Sequence, residues 1–278
     1  MLPWSRGLRK EFLPLYDRGE VGARVLKPVA HLVVETLMQA GVDDLTLVVR
    51  PRDLALVREY FSVDRSLLAR HGGHPERVAE TRAFYRRLGS LRIRFATQST
   101  PRGFGDAVLR AEPRIGDRPF LLQASDGVLT GPKRAGTVRA MGSLRTAEDL
   151  DAVLLVRRVA DPRRYGVVEG EPSGRWDGLA RLTVHRMVEK PAHPRSHWAA
   201  AAVYAFSPRI FPALRATRRR IGPGRELELT DGIGELLRQG AGVAALVLRP
   251  SAAWRSVGSP EGYLRALHAT LAHARSGG

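Results

Sequence analysis

The chain has 278 residues, no cysteine, 44% hydrophobic residues and a formal net charge of +17. This describes a globular protein with a substantial core, and it excludes a disulfide framework and thiolate chemistry. Any metal has to be held by oxygen or imidazole, which favours a hard ion such as Mg²⁺.

Only Lys10, Lys27, Lys133 and Lys190 are lysines, and arginines are scattered through every segment. The charge therefore reads as a composition bias and a field for small anions; no motif of a nucleic-acid reader accompanies it. The amino end mixes Arg6, Arg9, Lys10 and Glu11 with apolar residues, unlike a secretory signal, and the longest small-apolar run, Ala199 to Phe206, is too short to cross a bilayer. A soluble, cytoplasmic protein is expected.

Residues 1–17 carry Pro3, Gly7 and Pro14 without a clean period and read as an ordered loop, followed by a Gly- and Arg-containing excursion over 17–25. The spacing of Val29, Val33 and Leu37 predicts a helix over 27–40 with Gly41 as its stop. A strand over 45–49 and a helix over 54–60 follow. The charged stretch 64–88 has helical spacing broken at His71-Gly72-Gly73-His74, where two histidines without a third ligand favour a solvated turn over a metal site. A strand over 91–96 leads into Gln98-Ser99-Thr100-Pro101-Arg102-Gly103-Phe104-Gly105-Asp106, which opens a helix over 106–111. Backbone amides at a helix start suit an anionic or nucleotide ligand, and a tight turn explains the Gly-x-Gly equally well.

The stretch Pro119 to Thr130 reads as a buried, central parallel strand whose apolar run ends at Ser125-Asp126-Gly127. Ligands of open α/β sheets bind at the carboxyl ends of strands, so Asp126 stands where a metal or substrate would be met; capping of its own turn is the other reading. Next come a helix over 135–144, a strand over 152–159, and two extended segments, 165–169 and 179–189, joined as a hairpin by a Pro/Gly/Ser turn. Pro191 stops the ladder, leaving Glu189 and Lys190 at a strand end, as a site or as an exposed ion pair of little consequence. A strand over 199–206, a helix over 208–216, a basic turn over 218–224, a helix from Asp231 to Gln239, a strand over 243–248 and a helix over 260–273 complete the chain. The alternation predicts an α/β fold, with a mixed, mainly parallel central sheet between helices and a small antiparallel insertion.

Seven segments in order carry a resemblance: Lys10-Glu11-Phe12-Leu13-Pro14-Leu15, Lys27-Pro28, Gly103-Phe104-Gly105, Ser125-Asp126, Tyr165-Gly166-Val167-Val168, Val188-Glu189-Lys190-Pro191 and Glu226-Leu227-Glu228-Leu229-Thr230-Asp231. Together they resemble the sugar-phosphate nucleotidyltransferases, in particular the bacterial UTP:glucose-1-phosphate uridylyltransferases. The resemblance implies a single domain over 1–278 with the Rossmann-like nucleotide-diphospho-sugar transferase fold. It also implies Mg²⁺-dependent transfer between a nucleoside triphosphate and a hexose 1-phosphate. Lys10, Asp126 and Lys190 are implied as catalytic, Asp126 as the metal ligand, and Gln98, Gly103, Gly166, Glu189 and Ala202 as substrate-binding, with Gln98 on the base and UTP or dTTP preferred to ATP. The partners expected are those two substrates, with homo-oligomerisation open and neither nucleic acid nor membrane.

Departures from the family pattern are also expected. The family's first strand and Gly-x-Gly-Thr-Arg loop fall before Met1, its second metal aspartate falls on Ser256, Ala202 replaces a glycine near the sugar, and 18–26 is longer than the usual turn. On these grounds the chain as it stands is expected to be slow or inactive and poorly stable. A catalytically impaired nucleotide-sugar-binding relative is the alternative function, and a basic RNA-binding protein a third.

Overall fold

Short apolar runs alternating with amphipathic stretches give a mixed α/β fold in the computed structural model, which describes residues 9–19, 22–64, 66, 75–131 and 133–275. Elements are numbered in chain order. The central sheet has six strands, in the order β5 (Phe120–Gln123), β10 (Trp198–Phe206), β7 (Ala152–Arg158), β11 (Val243–Val247), β9 (Leu179–Glu189) and β8 (Gly166–Trp176). On β7, Ala152 to Val156 are all fully buried, and the two faces of the strand belong to different cores. Val153 and Leu155 pack with Val138, Met141 and Leu144 of α5 (Arg134–Ala147). Leu154 and Val156 pack with Leu214 of α6 (Ile210–Ile221) and Ile233 of α7 (Leu229–Arg238). A strand apolar at every position is what helices on both faces require.

The sheet differs from the sequence reading in direction. Among the described residues, parallel pairing is confined to β7–β11 and to a separate two-stranded sheet of β3 (Asp44–Val49) and β4 (Arg92–Thr97). Strand β10 runs antiparallel between β5 and β7. The run that reads as a central parallel strand is thus, among the described residues, an edge strand paired antiparallel; an apolar run alone does not specify its partners' direction. It also breaks at Ala124, and β6 (Gly127–Thr130) leaves to pair with β12 (Ala253–Ser256).

Residues expected to form a loop and an excursion instead form an antiparallel hairpin, β1 (Pro14–Arg18) with β2 (Arg24–Pro28). Leu15 is fully buried, and Asp17 accepts hydrogen bonds from Arg134 (3.1 Å to each oxygen) and Lys27 (3.3 Å). Lys27 also bonds Glu35 (2.8 Å) on α1 (Val29–Gln39), and Arg87 reaches Glu35 from α3 (Pro75–Gly89) at 2.7 Å. Burial pushes the Glu35 carboxyl up, but the hydrogen bond and charge of His31 and the charge of Lys27 hold it at about 2. Lys27 is therefore committed to the interior.

Two further boundaries move. The β8–β9 hairpin runs on past its Pro/Gly/Ser stretch to a two-residue turn at Asp177-Gly178, both with positive φ (47° and 72°), the geometry that Asp-Gly favours. The basic segment 218–224 belongs largely to α6, which continues to Ile221. The His71–His74 turn and Met1–Leu8 lie outside the described residues.

Candidate active site

Asp126 sits three residues beyond the carboxyl end of β5, at the edge where the chain crosses into β6. Gly127 is required there, because a Cβ would lie 2.3 Å from the indole of Trp254. The Asp126 carbonyl accepts from Val257 N–H (2.8 Å), and Ser256 is the cross-strand partner of Gly127. The carboxylate does not cap its own turn; it takes the ammonium of Lys10 at 2.6 Å. These side chains remain 41% and 31% exposed, against 11% and 1% for Lys27 and Glu35. An exposed pair is worth no more than about 1 kcal/mol, so an incoming phosphate can take Lys10 over, whereas Lys27 is fixed. Accessibility thus separates the two lysines.

Ser256 Oγ and the Asp126 carboxylate both border the space next to Gly258. A Cβ placed on Gly258 would be 3.3 Å from Ser256 Oγ and 3.7 Å from Asp126 Oδ2. Among the described residues no group of three or more acidic or histidine side chains could hold a metal. Mg²⁺ is commonly bound through one or two carboxylates together with substrate phosphates; Asp126 would supply one, and the neutral Ser256 hydroxyl is a much poorer ligand. The residues therefore fit an ion shared with a triphosphate.

A second group of candidates gathers where β9 ends. Glu189 pairs with Gly166 at the start of β8; its Oε1 holds the Lys190 ammonium (2.9 Å) and its Oε2 accepts from Thr230 Oγ1 (2.9 Å) on α7. Gly166 leaves the space a side chain would fill, since its Cβ would meet Thr230 at 2.7 Å and Glu189 at 3.3 Å. Lys190 adopts φ 40° and donates its N–H to the Tyr165 carbonyl (3.0 Å). The hydrogen bond to Glu189 and that residue's charge raise the lysine's pKa, with Glu228 and Glu226 adding to it. Burial and Glu189 in turn push the Glu228 carboxyl up.

Ala202 lies on the strand between these groups. Strand β10 pairs with β7 along one edge and, along the other, with β8 at Trp198–Ala199 and with β5 at Val203–Phe206; its register against β7 shifts between Ala200 and Tyr204. Within that irregularity Ala202 has φ 48°, and its carbonyl accepts from Ala124, two residues before Asp126. A left-handed alanine costs about 1–2 kcal/mol.

Gln98 follows β4. Its Nε2 donates to Asp106 Oδ2 (2.7 Å) and to the Gly103 carbonyl (3.2 Å). Gly103 has φ 101°, and a Cβ there would be 2.4 Å from the Leu227 carbonyl oxygen. Gly105 N–H donates to that carbonyl and Leu227 N–H to the Arg102 carbonyl, both at 2.8 Å. At the start of α4 (Phe104–Ile115), the Gly105 amide is thus committed within the protein, which supports the tight-turn reading of Gly-x-Gly. The loop is sealed against the segment preceding α7. Three members of these groups, Asp106, Arg218 and Thr230, were not singled out from sequence; an acid in the first turn after a Gly-x-Gly was the available signal for Asp106.

An accessible carboxylate beyond a strand end, a lysine set against it from the 3-10 turn over Lys10–Phe12 and a second lysine at the end of β9 suit the handling of phosphorylated small molecules. Residues 3–273 match the family model described as nucleotidyl transferase, and the chain belongs to that family. It is 28% identical over 248 residues to the UTP–glucose-1-phosphate uridylyltransferase of Mycoplasma pneumoniae, covering 86% of this chain and 78% of that one. It is 31% identical over 235 residues to the glucose-1-phosphate thymidylyltransferase of Streptomyces antibioticus, covering 84% and 54%. The crystal structure of an apo UDP-glucose pyrophosphorylase superposes with a TM-score of 0.82 at 24% identity, covering 98% of this chain and 93% of that one. That likeness establishes the fold.

Proposed function

We propose that the protein joins a nucleoside triphosphate, UTP or dTTP in preference to ATP, to a hexose 1-phosphate, giving an NDP-sugar and pyrophosphate. The observation that carries this is the exchangeable Lys10–Asp126 pair at the edge of β5 in a chain of this family. An oxygen of the sugar phosphate forms a bond to the α-phosphorus as the α–β phosphoanhydride bond breaks, and pyrophosphate leaves with the electron pair. Both reactants are anions, so the protein has to neutralise charge and align them.

In this reading Lys10 transfers from Asp126 to the triphosphate, and Lys190 meets the sugar phosphate as a point charge. Glu189 accepts from sugar hydroxyls beside Gly166 and Ala202, and Gln98 and Gly103 meet the base. Asp126 would hold Mg²⁺, with the neutral Ser256 hydroxyl a much poorer ligand beside it, and the ion would supply charge neutralisation at the phosphate oxygens. We assign residues 9–275 to one domain and a cytoplasmic setting to the reaction. Among the described residues no helix is long and apolar enough to cross a membrane.

The test is release of pyrophosphate from UTP and glucose 1-phosphate with Mg²⁺, with ATP as competitor; UTP is expected to win, and preferential use of ATP rejects the base assignment. Ser256 supports a second reading, a binding relative with impaired catalysis, which a folded protein that binds UTP and releases no pyrophosphate would establish. Ser256→Asp is expected to tighten binding of Mn²⁺ without nucleotide, read by electron paramagnetic resonance. An unchanged affinity would separate Ser256 from the metal.

A further inference from the structure

Asp106 is an acid that the proposed reaction does not use, yet it is only 2% exposed. It lies in the first turn of α4, and its two oxygens are divided between two duties. Oδ1 accepts from Arg218 of α6 (2.8 Å) and, more distantly, from Arg110 (3.4 Å). Oδ2 accepts from the Gln98 side-chain amide (2.7 Å). Burial raises the pKa of this carboxyl, but the hydrogen bonds from Gln98 and Arg218 outweigh it and leave the pKa lowered. The group is therefore an acceptor at neutral pH.

The second neighbour of the Gln98 amide, the Gly103 carbonyl at 3.2 Å, is also an acceptor. Two acceptors dictate the orientation: only the NH₂ end can face them, and its two hydrogens match the two partners. The amide oxygen Oε1 is consequently the end left for a ligand. An acceptor complements the imide N3–H of uracil or thymine and opposes the bare N3 of cytosine.

We propose that Asp106 is a positioning residue that locks the Gln98 amide with its oxygen toward the base, and so sets a preference for uracil or thymine over cytosine. The proposal rests on the reading that Gln98 meets the base. It adds a discrimination between pyrimidines that glutamine alone does not provide, because a free amide rotates to offer its NH₂ to cytosine and the Gly103 carbonyl holds it only through the longer, 3.2 Å contact. Arg218 serves by occupying the oxygen that Gln98 does not use.

The test compares kcat/KM for UTP and CTP, each with glucose 1-phosphate. In the wild type UTP is expected to exceed CTP by at least roughly ten- to hundredfold, the scale of a buried acceptor left unpaired. Asp106→Asn keeps the shape but can donate to Oε1, so it permits the flipped amide. It is expected to shrink the UTP:CTP ratio about tenfold or more, through a loss with UTP and a gain with CTP. A merely structural lesion lowers both substrates together and leaves the ratio alone. Asp106→Ser, whose hydroxyl both donates and accepts, carries the same expectation if the asparagine variant folds poorly. In a Gln98→Ala background the preference is expected to vanish, and adding Asp106→Asn to change it no further.

The failures are distinguishable. A wild type that takes UTP and CTP equally overturns the base-reading role of Gln98, and the positioning role with it. A preference abolished by Gln98→Ala but kept within twofold by both Asp106 variants overturns the positioning role alone.

Discussion

Asp126→Asn is expected to remove nearly all Mg²⁺-dependent release of pyrophosphate while leaving the fold intact. The substitution keeps the side-chain shape and the Asp126 carbonyl, which receives Val257 N–H at 2.8 Å and ties the β5–β6 crossing to β12. What it removes is the charge that holds Lys10 at 2.6 Å and would ligate the metal. The lost ion pair is exposed and contributes no more than about 1 kcal/mol to stability. Loss of a preorganised electrostatic partner in the transition state lowers turnover by roughly 10² to 10³. Rate and stability are therefore expected to separate: the melting temperature shifts by a few degrees at most, and activity falls by orders of magnitude. A variant with near wild-type turnover would falsify the assignment.

Lys190→Ala should raise the Michaelis constant for the sugar 1-phosphate by about ten- to a hundredfold, the range of a hydrogen bond between charged groups at roughly 1.5–3 kcal/mol. The backbone presents this residue deliberately, at φ 40°, with its N–H bonded to Tyr165 and Pro191 next in sequence. Glu189 raises its pKa, so the side chain stays cationic at neutral pH. Its side chain is 58% exposed, as that of a group that exchanges partners must be. Steady-state kinetics with the sugar phosphate varied gives the answer. An unchanged Michaelis constant returns Glu189–Lys190 to the status of a surface ion pair.

Much of this was legible in the chain because it is local. Leu54–Tyr60 and the strand before Glu189 follow from periodicity and from Pro191, and Asp126 at a strand end follows from an apolar run stopped by turn residues. The β1–β2 hairpin escaped because Pro14 and Gly19 look like loop chemistry; what makes it a hairpin is the burial of Leu15 and the bonds from Asp17 to Arg134, supplied from elsewhere. Asp177-Gly178 was a readable turn signal, masked by the Pro172-Ser173-Gly174 stretch that precedes it. Asp106 remained silent for a different reason: a buried acid is recognised by its partner, and Arg218 is 112 residues away. Ala202 was placed by resemblance, while its positive φ is visible only in three dimensions.

That separation extends to the other pairings of the site. Lys10 and Asp126 are 116 residues apart in sequence, Gly105 is joined to Leu227 across a span comparable to that, and Thr230 and Glu189 are 41 apart. Contacts of such high contact order form only after large loops have closed, and their entropy has to be met before the contact returns anything. The β8–β9 hairpin alone brings Gly166, Glu189 and Lys190 together, but among the described residues no single hairpin or helix unites them with Lys10 and Asp126. The proposed arrangement of Lys10 and Asp126 opposite that hairpin is a property of the completed chain trace, and a partly folded intermediate with most of its secondary structure would hold only one half of it.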